Sequence, residues 1–437
     1  MTTSNPVARS YDDTRSFQPA DGVRQHQSRM KIVHVEEFFH PDAGYQVNLL
    51  SRLQVQQGHD VAVVTAELEK MPSFLTAFFG KDGIAERDAA FQDETGVRII
   101  RVPLLGFYSG RAIFRPQLFR RVSELEPDVV FVHGEDTLTG ILFILMSRWL
   151  KYPMVLDCHM LEMASLNRFR KVFRAFYRRF ITPIILREKI PLMRVVNSNY
   201  VESCLGIPLS HTDLLSFGTD TAHFKPDPEM RRAVRAKYGL SENAFVVIYA
   251  GKLDETKGGK FLAEAIREPF APGPWGPVEF VVIGNTERGY GEEVERLFGR
   301  CANKLVRLPT QRYFDLAQFY QAADIAVFPK QCSLSFFEAQ SCGLPVLFEE
   351  NEINSQRAGE ENAFLFAPAD IQGFRRGIER LASLPKEATL QARRNARDYV
   401  LRHYDYVPIA QRFTDVLTRA VQAWDRKVNA KNAGRAP

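Results

Sequence analysis

The feature that most constrains this chain is a pattern that occurs twice. Short runs rich in β-branched residues, at 31–35, 60–65, 97–102, 129–133, 154–157 and 194–197, are separated by helix-length segments. The pattern restarts at 245–250 and continues at 278–283, 305–308, 325–328 and 346–348. Strands that alternate with helices pair in parallel, because each crossover helix returns the chain to the same end of the sheet and covers one face. The opening unit shows this in detail. A buried strand leads to a helix over 44–57 with Val47, Leu50 and Leu53 on one face, Gly58 caps it, and a second strand follows. The expectation is an α/β chain in two halves.

A break falls at 216–228, where Gly218, Pro226 and Pro228 interrupt any regular period. It divides a first domain, 30–215, from a second, 216–405, and 437 residues suffice for each to bury its own core. Residues 406–425 read as an amphipathic helix with Ile409, Phe413, Val416, Leu417, Ala420 and Trp424 on one stripe. The polar ends, 1–29 and 426–437, are expected to be disordered.

Several function classes are disfavoured by composition. A formal net charge of +5 over this length gives no general attraction for nucleic acid. Five cysteines without a C-x-x-C pair form neither a disulfide framework nor a zinc site, so free thiols in a reducing cytoplasm are expected. The first 29 residues hold no apolar core of a secretory signal. The longest apolar run, 138–146, is too short to span a bilayer. No G-x-G-x-x-G follows the first strand, which argues against a dinucleotide-dependent dehydrogenase. No D-x-D triplet occurs, so no metal and no other cofactor is expected.

Five stretches then stand in order: KIVHVEEFFHPDAGY at 31–45, QGHDVAVVT at 57–65, AGKLDETKG at 250–258, AADIAVFP at 322–329 and FEAQSCGLPV at 337–346. Together they resemble the GT-B glycosyltransferases, specifically the retaining enzymes of family 4, over about residues 30–425. The resemblance implies two Rossmann-like domains facing each other across a cleft. The second would grip a nucleotide-diphosphate sugar, the first would offer the acceptor, and the last helix would cross back onto the first domain.

A nucleotide diphosphate is a double anion and a leaving group, and without a metal it needs fixed cations and backbone N–H groups. Lys252 and Lys257 lie in the loop after a strand, at the edge where open α/β sheets bind ligands. They read as the phosphate clamp, although the resembling enzymes usually carry Arg at the first position. Two solvated loop lysines are the alternative. Glu338 corresponds to a glutamate that accepts hydrogen bonds from ribose hydroxyls in that family, with the amides of Ser335, Phe336 and Phe337 aimed at the donor. Ser335 and Glu338 are equally spaced as a capping box, in which the glutamate only closes the first helical turn. Eight residues earlier the family has a second glutamate, and here Lys330 replaces it. A cation there suits phosphate or a carboxylated sugar. Gly44 opens the first helix, where a missing side chain lets backbone approach a ligand closely. His159 matches a histidine that the family places beside the donor sugar, and its imidazole suits orientation or proton transfer near neutral pH. His133 sits equivalently after another strand and is the weaker candidate, and a plain loop histidine is the alternative for both.

Between residues 166 and 190 eight basic residues face one acid, Glu188. Arg170, Arg174 and Arg178 alternate with Phe173 and Phe176 at helical spacing, a pattern suited to an anionic membrane surface. Residues 71–79, with Phe74, Leu75, Phe78 and Phe79, offer a second apolar contact. An aromatic stripe packed on the sheet under water-facing arginines is the alternative. The resulting expectation is a glycosyltransferase, with a nucleotide-sugar donor and a sugar or lipid-linked acceptor, acting in cell-surface polysaccharide or glycolipid assembly at the inner face of the membrane. A catalytically silent nucleotide-sugar-binding protein, a nucleotide-sugar epimerase and a soluble glucan or sucrose synthase are the alternatives.

Overall fold

The computed structural model describes residues 29–69, 71, 79–108, 111–159, 169–286, 289–330, 334–359 and 361–433. In the first half lie β1 (Lys31–Glu36), β2 (Asp60–Ala66), β3 (Arg98–Val102), a hairpin of β4 (Leu104–Tyr108) and β5 (Arg111–Phe114), β6 (Val129–His133), β7 (Met154–Cys158), β8 (Leu192–Arg194) and β9 (Thr212–Leu214). The second half holds β10 (Phe245–Ala250), β11 (Val278–Ile283), β12 (Leu305–Leu308), β13 (Ile325–Phe328), β14 (Val346–Glu349) and β15 (Ala363–Phe366). The sheet orders are β3-β2-β1-β6-β7-β8-β9 and β12-β11-β10-β13-β14-β15, and every pair within these two sheets is parallel.

Both sheets reverse their winding next to their first strand, at β1/β6 and at β10/β13. At such a switch point the two flanking crossovers leave in opposite directions and open a crevice beyond the carboxyl ends of the strands. The residues that emerge there are Glu36 and Glu37 after β1, Gly134 after β6, Gly251 and Lys252 after β10, and Lys330 after β13. The strands reach this edge as continuous apolar runs because helices cover both faces; β10 and β11 are buried along their whole length.

The halves are joined at two neighbouring crossings. Thr219 and Asp405 form a parallel bridge, in which Thr219 N–H donates to the Tyr404 carbonyl at 2.9 Å and Tyr406 N–H to the Thr219 carbonyl at 3.0 Å. Gly218 is required there, since a Cβ would stand 2.4 Å from the Tyr404 carbonyl oxygen. Beyond the crossing, the helix Tyr406–Ala433 packs against the helix Gln46–Gln56 and against β6 and β7. Its stripe of Ile409, Phe413, Val416, Leu417 and Ala420 is buried, with Phe413 at 6.2 Å from Phe131. The Thr414 hydroxyl donates to Gln57 Oε1 at 2.7 Å. One apolar cluster therefore runs from β1 and β6 through this helix into β10 and β13.

Several details differ from the sequence reading. The strand expected at 194–197 lies at Leu192–Arg194, because Val195 and Val196 follow the end of the ladder and pack as a bend. The hairpin β4–β5 and the edge strands β9 and β15 carry no clear alternating signal and were not anticipated. The last helix continues through Ala433, past residue 425. Residues 1–28 lie outside the described residues.

Truncating the fully buried Phe413 to Ala removes an aromatic anchor between the last helix and the first sheet. The expected loss is about 3–5 kcal/mol, read as a lower urea midpoint. An unchanged midpoint would show that this helix is not part of the core.

Candidate functional site

A cavity of about 260 Å³ opens between the two switch points. Gly44 and Tyr45 line it from the first half, and Lys252, Lys257, Ser335 and Glu338 from the second. The loop after β10 owes its shape to Asp254, whose carboxylate accepts from Lys257 N–H at 2.8 Å and from the Thr256 hydroxyl at 2.7 Å. Gly258 turns with φ +77°, and both lysines line the cavity as a result.

Tyr313 organises the contact between the halves. A Cβ on Gly44 would fall 1.9 Å from the Tyr313 ring, so the glycine lets the second half close on the first. Tyr313 N–H donates to the Asp42 carbonyl at 3.2 Å. The Asp42 carboxylate receives Arg312 of the second half at 3.0 Å and Arg87 of the first at 3.1 Å. The Tyr313 hydroxyl donates to Glu338 Oε1 at 3.0 Å. Burial pushes the Glu338 carboxyl up to about 8. Burial, and then the neighbouring Glu338, raise the Tyr313 hydroxyl well above its ordinary value.

The capping-box geometry is not formed. Leu334 is the N-cap of the helix Ser335–Ser341 and makes no side-chain cap bond, and Glu338 is engaged by Tyr313 instead. Among the three expected amide donors, Phe337 N–H already donates to the Leu334 carbonyl at 2.9 Å. The Phe336 and Phe337 side chains are core, packed on the Arg357 guanidinium and on Tyr404. Lys330 does not line the cavity; its ammonium donates to the Glu255 carbonyl at 3.0 Å.

His159 is not brought to this cavity. It lines a second one, of about 210 Å³, together with Glu36, Glu37, Arg111, His133 and Asp136. The loop 36–45 contributes to both, with Gly44 and Tyr45 in the first and Glu36 and Glu37 in the second, and burial, then Glu36, push the Tyr45 hydroxyl up to about 12. Asp157 anchors the second cavity. Fully buried at the end of β7, it accepts from His133 Nδ1 at 2.7 Å, His159 Nε2 at 2.8 Å and Gly134 N–H at 2.9 Å. Burial alone would raise its carboxyl, but the two histidines hold it well below the usual range. Burial likewise opposes the His159 cation, and Asp157 reverses the balance and raises it. His34 extends the chain inward, 2.9 Å from His133 Nε2 and 2.7 Å from Gln54 Oε1, and burial brings its own value down to about 3. His133, Asp157 and His159 are the one group among the described residues with metal-capable atoms this close, and those atoms are engaged in the hydrogen bonds just given.

The sequence reading omitted Tyr313, Asp157, Asp42 and the Glu36–Glu37 pair. Asp157 carried a signal, as an acid ending a buried strand two residues before His159. Tyr313 carried none, because its role arises from a contact across the halves.

The basic segment forms the helix Arg170–Phe176, a π-turn Tyr177–Ile181 and the helix Thr182–Glu188. Tyr177, Ile181 and Ile185 anchor it in the core, and Phe173 is half-buried beside them. Phe169, Val172, Phe176 and Phe180 are exposed, as is Arg170. Arg178 is tied down instead, donating to the Cys204 carbonyl at 3.1 Å and to that of Ser203. The adjoining helix Leu138–Met146 bares Leu138, Leu142 and Leu145, and Trp149 beyond it is 74% exposed. These three leucines recur at a spacing of four and three residues, which puts them on one face of the helix. Among the described residues no helix is long and apolar enough to cross a membrane. Phe74, Leu75 and Phe78 lie outside the described residues, Met71 is buried, and Phe79 stacks on His40 at 5.0 Å.

Two family models match this chain: glycosyl transferases group 1 over residues 244–383, and the glycosyl transferase 4-like domain over 43–183. A D-inositol 3-phosphate glycosyltransferase of Jonesia denitrificans is 32% identical over 144 residues, 30% of this chain and 33% of the relative. The chain thus spans about a third of the length of the curated relatives it matches. Among solved structures, a glycosyltransferase from Rickettsia africae superposes with a TM-score of 0.69 at 12% identity, over 90% of this chain and 99% of the other. Alr3699/HepE of Anabaena, in complex with UDP-glucose, superposes with a TM-score of 0.66 at 17% identity, over 90% and 100%. These likenesses identify the GT-B arrangement of two facing α/β domains.

The raised Glu338 carboxyl gives a pH signature. A folded-state value of about 8, against 4.5 ordinarily, favours the folded protein below pH 4.5, and that contribution is lost as pH rises towards 8. Relative to Glu338→Gln, the parent is expected to lose on the order of several kcal/mol between pH 5 and about 8.5. Parallel urea-denaturation curves at both pH values would contradict this assignment.

Proposed function

Because the chain belongs to the group 1 glycosyltransferases, we propose that it transfers a sugar from a nucleotide diphosphate to an acceptor with retention of anomeric configuration. The observation that carries this reading is that Lys252 and Lys257 line one cavity with Gly44 and Glu338, at the switch point of the second sheet. Departure of a nucleoside diphosphate leaves negative charge on the phosphate oxygens, and two preorganised ammonium groups stabilise it without a metal. No cofactor besides the donor is invoked. Glu338 is placed to accept from the ribose hydroxyls, which replace the Tyr313 hydroxyl when donor enters. His159, oriented by Asp157, serves the acceptor side.

HepE is described with UDP-glucose, so a UDP-sugar is the first donor to test. The curated relatives are D-inositol 3-phosphate glycosyltransferases, which suggests a polyol or its phosphate as the acceptor. Lys330, in place of the family's acid, favours a second reading, a protein that binds nucleotide sugar without turnover.

Exposed apolar side chains support lipid linkage of the acceptor. Thr137 both lines the second cavity and caps the helix Leu138–Met146, whose exposed leucines continue to Trp149 beside the Phe169–Phe180 face. A lipid laid along that stripe would bring its headgroup to His159, which suits glycolipid or cell-surface polysaccharide assembly at a membrane.

Thermal stabilisation by UDP-, GDP- and ADP-sugars tests the donor site. Each of Lys252→Ala and Lys257→Ala is expected to weaken nucleotide binding roughly 10- to 100-fold, as for loss of a charge-assisted contact of about 1.5–3 kcal/mol. If no nucleotide binds, the reading fails; binding with neither transfer nor hydrolysis would select the silent protein. In a separate measurement, phosphatidylglycerol vesicles are expected to sediment the parent and to release Trp149→Ser and Phe169→Ser. Retention of both variants would remove the membrane face.

A further inference from the structure

We propose that the cavity beside His159 receives an acceptor sugar that carries hydroxyls but no phosphate or carboxylate, recognised by Glu36, Glu37 and Asp136. The inference rests on the transferase reading above and specifies its acceptor.

Each carboxylate is fixed from behind. Glu36 accepts from Phe38 N–H at 3.2 Å. Glu37 accepts from the Thr139 hydroxyl at 3.1 Å and Ala112 N–H at 3.3 Å, and is 7% exposed, so it cannot swing away from the cavity it lines. Asp136 accepts from Arg111 at 3.5 Å and from the Tyr200 hydroxyl at 3.5 Å. A carboxylate offers about four lone-pair sites. Capacity therefore remains on all three, and sugar hydroxyls are donors that match it.

An anionic group meets the opposite situation. Three carboxylates line the cavity against one guanidinium, Arg111, which Asp136 meets at 3.5 Å. His159 and His133 both donate to the buried Asp157 carboxylate, which offsets the His159 cation. Crowding is felt by the acids themselves: burial, and then Glu36, push Glu37 up to about 7 even with Arg111 opposing. Burial and neighbouring acids that disfavour one more carboxylate charge disfavour an incoming phosphate more strongly, since the phosphate brings nearly two charges. The mixture of a 210 Å³ cavity, three fixed acceptors and a histidine held at its mouth is what a hydroxyl nucleophile with neighbouring hydroxyls requires.

The test uses the full chain and whichever nucleotide sugar of the UDP, GDP and ADP panel stabilises it. Nucleoside diphosphate release is measured with methyl α-mannoside and myo-inositol, and with mannose 6-phosphate and inositol 3-phosphate. At least one neutral acceptor is expected to raise release above donor hydrolysis, with kcat/KM at least tenfold above that of its phosphorylated counterpart. Glu37→Gln and Asp136→Asn are each expected to raise the neutral acceptor's KM about tenfold or more, against a much smaller change in donor KM. Equal or better use of the phosphorylated acceptors overturns the inference, as does bound and hydrolysed donor with no neutral acceptor used. A protein that binds none of the nucleotide sugars overturns the transferase reading itself.

Discussion

The arrangement depends on one contact, the Tyr313 ring seated on Gly44. It sets how closely the two sheets can approach, because any side chain at residue 44 would occupy the ring's place. Everything that converges on the cleft is referred to it. Tyr313 carries the hydroxyl that meets Glu338, its backbone meets Asp42, and the adjacent Arg312 meets the Asp42 carboxylate that Arg87 also holds. A single residue of the second half thus meets both the loop after β1 and Glu338 at the 260 Å³ cavity. The contact between the halves and the hydrogen bond to Glu338 are carried by the same ring.

The first half solves a different problem, that of holding polar chemistry inside an apolar sheet. Asp157 is fully buried and stays ionised because three donors converge on it. The chain of His34, His133 and Gln54 behind it gives the buried imidazoles partners as well. The result is a rigid His159 at the end of β7, oriented from beneath. The acids of the adjoining loop are each fixed by backbone or hydroxyl donors, so the second cavity is preorganised rather than shaped by its ligand.

Much of the fold was legible because parallel strands covered on both faces must be continuous apolar runs. Phe245–Ala250, Val278–Ile283, Leu305–Leu308 and Ile325–Phe328 stand where the runs placed them. Edge strands such as Thr212–Leu214 need only one neighbour and little apolar content, and they escaped notice. For the site, residues that follow strands were readable: Lys252, Lys257 and His159 all emerge from sheet ends near a cavity. What sequence could not convey is partition. It set His159 beside the donor sugar by resemblance, whereas the lysines line one cavity and His159 another, and it offered Lys330 to a ligand where its ammonium meets the Glu255 carbonyl. Both outcomes depend on contacts between segments far apart in the chain, for which a local pattern has no term.

The returning helix Tyr406–Ala433 has a consequence for biosynthesis. Phe131, in the centre of the first sheet, finds its partner Phe413 only after the whole second half has been made. At about 5–20 residues per second, a ribosome takes on the order of ten seconds or more to cover that distance. Throughout that interval the amino-terminal sheet lacks the helix that covers β6 and β7, and this returning segment is what seals it.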